Sequence, residues 1–137
     1  MGSSGKERGA RLHWCESYRT GNPVLDEQHL TIFLLFNDVM RAIETRASQH
    51  MIADTIDSLI YFIRKHFAWE ERMMTSAGCD EAAAHAAGHA RFDAVAQALY
   101  QCLGPSDGGE AFAGFAREWI LDHMAADRTI PVLLAAE

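Results

Sequence analysis

The chain has 137 residues, the length of one domain, and its 49% hydrophobic and 23% charged residues suit a packed core and exclude a disordered polymer. With 12 Lys and Arg against 19 Asp and Glu, the formal charge is −7. That sign repels phosphate backbones and anionic lipid heads, so neither nucleic acid nor a membrane is expected as a partner.

No apolar run approaches the roughly 18 to 20 residues of a membrane span. The opening, MGSSGKERGARLH, lacks the apolar stretch of a secretory signal and reads as a flexible N-terminal tail over residues 1–13, leaving residues 14–137 as the folded domain. Cys15, Cys79 and Cys102 show no CxxC spacing, which predicts neither a disulfide framework nor a cysteine zinc site. A cytoplasmic protein fits this pattern.

Breakers at Gly21, Pro23, Gly78, the stretch 104–109 and Pro131 divide the chain into four pieces, each with apolar residues at three- and four-residue steps. The first, from about residue 24 to 45, carries Leu25, His29, Ile32, Phe33, Phe36 and Met40 on one face. The second carries Ile52, Ile56, Leu59, Ile60, Ile63, His66 or Phe67, Glu70, Met73 and Met74 and stops at Ala77 and Gly78. The third, from about residue 80 to 103, shows Ala82, His85, His89, Phe92, Ala96, Leu99 and Leu103. The fourth shows Phe112, Phe115, Trp119, Ile120, His123 and Asp127. Four amphipathic helices with short connections predict an all-α, up-down-up-down four-helix bundle.

The apolar stripes are interrupted by His29, His66, Glu70, His85, His89, His123 and Asp127. The pairs His66/Glu70, His85/His89 and His123/Asp127 are spaced i,i+4, which places both members on one helix face a turn apart. One inward histidine is ordinarily a hydrogen-bonded core residue. Seven ionisable groups together would cost several kcal/mol per uncompensated charge, comparable to the whole margin of about 5 to 15 kcal/mol of a small domain. Bound cations offset that cost, because imidazoles and carboxylates are their donors. Seven donors exceed what one ion takes and suggest two ions sharing carboxylates. The donor set suits iron or manganese and leaves zinc and copper open.

These residues resemble the hemerythrin family, in particular its bacterial single-domain members, over nearly the whole chain from Trp14. The segment 21–29, GNPVLDEQH, is similar to the family's first-helix signature; 66–73, HFAWEERM, to the second; 85–92, HAAGHARF, to the third. The resemblance implies one iron held by His85, His89 and His123 and another by His29 and His66. Glu70 and Asp127, with an oxo or hydroxo group, would bridge them. It further implies that the second iron keeps an open position for dioxygen. A dry pocket is then required, and Phe33, Phe67, Trp119 and Met40 are candidates to line it.

The fourth motif departs from the family pattern, in which the bridging Asp lies five residues after its His. Here Asp127 follows His123 by four, and Arg128 occupies the usual place. The i+4 position stays on the histidine's face of a regular helix. Asp122 and Glu118 are poorer candidates.

The function this implies is reversible dioxygen binding for transport, storage or sensing, without catalytic residues. The alternatives are a di-iron oxidase, peroxidase or nitric oxide reductase, or an oxygen-responsive signalling module with an unidentified partner protein. Ferritin-like oxidases use Glu-x-x-His pairs and more carboxylates, whereas the order here is His-x-x-x-Glu. His13 and His50 are expected at the surface, Cys79 as a bystander in a turn, Asp26 and Glu27 as partners of the first helix dipole, and Glu71 and Arg72 on a solvated face.

Overall fold

The computed structural model describes residues 11–128 and residue 130. Its long elements are four helices: α1 Pro23–Glu44, α2 Gln49–Ser76, α3 Ala82–Gln101 and α4 Glu110–Asp127. A single 3-10 turn, Glu16–Tyr18, precedes them. Among the described residues there is no strand, and no helix is long and apolar enough to cross a membrane.

Three of the four starts have a local cause. The Asn22 side chain accepts hydrogen bonds from the Val24 and Leu25 amides at 3.0 and 3.1 Å, and Pro23 supplies the preset φ of a first helical residue. Ser48 caps α2 by accepting from the Met51 amide at 3.1 Å. Before α4, Gly109 has φ +102°, and a Cβ there would stand 3.1 Å from Ile52 Cγ2 and 3.2 Å from Ile43 Cδ1. Only glycine meets both the left-handed conformation and the close approach of those side chains.

Successive helices pack on one another and α1 closes on α4, giving the antiparallel ring predicted from the short connections. Inward positions along that ring hold Ile32, Phe36, Ile56, Leu59, Ile60, Ile63, Phe92, Phe112 and Ile120, all essentially solvent-free. Burying each such side chain contributes about 1.5 to 3 kcal/mol.

The tail drawn over residues 1–13 lies outside the described residues as far as residue 10. Leu12, however, is in the core at 4% exposure. Its amide donates to Asn37 Oδ1 and its carbonyl accepts from Asn37 Nδ2, both at 2.8 Å. Trp14 and Tyr18 continue this docking by meeting the Phe33 ring edge-on, at 5.5 and 5.2 Å between centroids.

Candidate metal centre

Because the helices alternate in direction, the N-terminal parts of α1 and α3 and the C-terminal parts of α2 and α4 lie at the same end of the bundle. His29 comes from α1, His66 and Glu70 from α2, His85 and His89 from α3, His123 and Asp127 from α4. All seven residues singled out in the sequence meet there. Suitably placed donor atoms of His29, His66, Glu70, His123 and Asp127 all fall within 4.8 Å of one another. His85 and His89 join through the two carboxylates.

Asp127 is the hub. Its Oδ2 lies 2.7 Å from His123 Nε2, 2.8 Å from His29 Nε2 and 3.4 Å from His66 Nε2, while Oδ1 faces His85 Nε2 at 3.4 Å. The four-residue spacing therefore delivers Asp127 to the centre, as its last-turn position in α4 allows. Asp122 and Glu118 are exposed. Glu70 is placed similarly: Oε2 lies 2.9 Å from His66 Nε2 and 3.5 Å from His123 Nε2, and Oε1 lies 3.2 Å from His89 Nε2.

Charge follows from this crowding. Burial would raise the Glu70 carboxyl, but the close imidazoles of His123, His66 and His89 outweigh it and hold it at about 2. Burial opposes ionisation of Asp127 too, and its histidine partners again prevail, keeping it well below the ordinary carboxylate range. Burial disfavours protonation of His123, yet Asp127 and Glu70 push it up to about 9. His66 is raised against its burial by the same two carboxylates. His85 is raised chiefly by its hydrogen bond to Asp127, and His29 is lowered because burial exceeds what Asp127 returns. Two anions thus stand among imidazoles that draw protons into the core.

Protons do not complete the arrangement. Glu70 Oε1 and Oε2, His89 Nε2 and His29 Nδ1 are buried without a hydrogen-bond partner among the described residues. The short Glu70 distances bring charges close without the alignment of a hydrogen bond. His66 Nε2 also faces His123 Nε2 at 3.0 Å, and two ring nitrogens so placed share at most one proton usefully. Orphaned carboxylate oxygens and converging ring nitrogens are the donor set of a cation, so the residues present fit one.

Supporting contacts that sequence reading missed hold the imidazoles from behind. His66 Nδ1–H donates to Gln28 Oε1 and His89 Nδ1–H to Glu71 Oε2, both at 2.7 Å, which directs each Nε2 lone pair inward. Glu71 therefore does not merely sit on a solvated face. The signal available was adjacency: Gln28 and Glu71 are direct neighbours of His29 and Glu70. Phe67 stacks flat on His89 at 3.7 Å, and Trp119 lies on His123 at 4.5 Å, as expected of lining residues. Phe33 instead packs with Trp14 and Tyr18, and Met40 lines a cavity at the opposite end of the bundle.

Other expectations divide. His13 and His50 are exposed. Asp26 does more than face a helix dipole: it is buried and accepts hydrogen bonds from Thr20 N, Thr20 Oγ1 and Gly21 N at 2.8, 2.7 and 3.3 Å, fixing the turn into α1. Cys79 is buried beside Leu25, Met74 and Ile130.

Fold and site together define a class, that of helical bundles whose core is equipped with imidazoles and carboxylates to hold cations. Comparison with known proteins specifies it further. The family model described as the hemerythrin HHE cation binding domain matches residues 20–130. A bacteriohemerythrin of Pseudomonas aeruginosa is 30% identical over 120 residues, covering 86% of this chain and 77% of that protein. The myohemerythrin of Riftia pachyptila is 30% identical over 111 residues, covering 81% and 82%, and a hemerythrin-like protein of Naegleria gruberi is 27% identical over 113 residues, covering 82% and 84%. The chain belongs to the hemerythrin family.

Proposed function

We propose that this chain holds two iron ions through His29, His66, Glu70, His85, His89, His123 and Asp127 and binds dioxygen reversibly between them and the surrounding protein. The observation that supports this most is the division of each carboxylate between two sets of imidazoles. Asp127 turns Oδ1 to His85 and Oδ2 to His29, His66 and His123; Glu70 turns Oε1 to His89 and Oε2 to His66 and His123. A carboxylate whose oxygens face different donor groups is placed to bridge two cations.

When bound, the iron pair supplies the electrons and the open coordination position for dioxygen. The protein does the rest. Gln28 and Glu71 fix two ring orientations, Phe67 and Trp119 clamp two rings by stacking, and closure of the core around His29 and His66, both at most 1% exposed, keeps water from that side. The exposed thiols of Cys15 and Cys102 suit a reducing cytoplasm.

The test is metal analysis followed by spectroscopy. Protein from iron-supplemented cells is expected to carry two irons per chain. Reduced without air and then exposed to oxygen, it should gain a visible absorption band that disappears when oxygen is removed. About zero iron would defeat the reading. Steady consumption of oxygen or peroxide with a reductant, in place of a reversible band, would transfer it to the oxidase or peroxidase class.

A further inference from the structure

Burial of the cluster is broken on one side. A cleft of about 330 Å³ lies between α3 and α4, walled by Ala84 and Gly88 and floored by His85, His89 and His123. His85 has 16% of its side chain exposed, the most of the seven, against 5% or less for the others. His89 also lies on the floor, and its Nε2, 3.2 Å from Glu70 Oε1, connects the cleft to the second carboxylate.

The rim is acidic. Glu81, immediately before α3, and Asp122, on α4, line the cleft from opposite sides; both are exposed, and neither carboxylate has a side-chain partner among the described residues. No lysine or arginine lines the cleft itself. Arg91 reaches its edge, where Nη2 lies 3.7 Å from the place a Cβ on Gly88 would take. Two unpaired anions beside an open, largely apolar cleft concentrate cations and repel anions, and a neutral molecule such as dioxygen gains nothing from them.

We propose that this cleft is the route by which ferrous ions reach the buried cluster, with Glu81 and Asp122 capturing the ion and His85 receiving it first. Exposed carboxylates exchange for the waters of a hydrated ion before the imidazoles do, because they meet it in solvent. His85 stands between the solvent and the Oδ1 face of Asp127, so the ion moves inward from one donor to the next. This rests on the reading of the cluster as an iron site.

The experiment measures uptake of ferrous ion by the unloaded full-length chain without oxygen, each time point being stopped by a chelator that removes unbound iron. At low ionic strength, the E81Q/D122N variant should load about 3- to 10-fold more slowly than the parent and reach the same final iron content. Added salt should narrow that gap. Arg91→Gln should load at least as fast as the parent. Gly88→Leu should slow uptake at every salt concentration by filling the cleft, while Gly88→Ala, whose Cβ has room, should not. Circular dichroism of each unloaded variant checks that it is folded, and the single variants E81Q and D122N serve if the double does not fold. Equal rates for parent, E81Q/D122N and Gly88→Leu would overturn the proposal and point to loading by opening of the whole bundle. Failure of the parent itself to take up iron would overturn the proposed function as well.

Discussion

The two ends of the bundle are built on opposite principles. At the end formed by the start of α2 and the start of α4, the inward positions hold Phe36, Val39, Ile52, Ile56, Phe112 and Ala116, and their burial is favourable by itself. At the other end the same helices turn inward five histidines and two carboxylates, whose burial is favourable only when charges and lone pairs are met. One end drives folding. The other is carried by it and leaves buried polar atoms unmet by the described residues, so the two should respond differently to mutation, cation and pH.

The widest difference should come from the hub. Asp127→Ala or Glu70→Ala should abolish stoichiometric iron binding and bring the melting temperature of iron-treated protein down to that of untreated protein; metal analysis and calorimetry check this. Retention of two irons by either variant would break the comparison. Phe36→Ala, at the apolar end, should cost about 3 to 5 kcal/mol in denaturant unfolding. That loss should be the same with and without iron, since Phe36 lies in the apolar core and not among the donors.

Glu71→Ala tests the supporting layer. Loss of the carboxylate that orients His89 should weaken iron about 10- to 100-fold in competition with a chelator. Next comes pH. In the unloaded chain His66, His85 and His123 are raised above the ordinary histidine value, His123 to about 9. Their stabilisation is complete below their unfolded value of about 6.5 and is lost as pH rises through the folded value. The melting temperature of unloaded protein should therefore fall as pH rises from 6.5 past 9, and iron, which takes the place of those protons, should flatten the fall. The smallest effect belongs to His50→Ala. His50 is exposed and its only described partner is Asp54 at 3.4 Å, so stability and iron content should stay within about 0.5 kcal/mol and within error, respectively.

Helix number, helix direction and the inward faces were legible in the sequence, because three- and four-residue periodicity and the Gly and Pro breaks are local properties of the chain. So was the inward turn of the seven ionisable side chains, six of them as i,i+4 pairs that share a face before any helix meets another. Tertiary structure alone decided which oxygen of Asp127 and Glu70 faces which imidazole, that Glu71 and Gln28 hold the rings from behind, that Leu12 docks on Asn37, and that an acidic cleft opens beside His85. Those facts depend on the rotation and offset of one helix against the next, and periodicity gives a helix its inward face without saying what stands opposite.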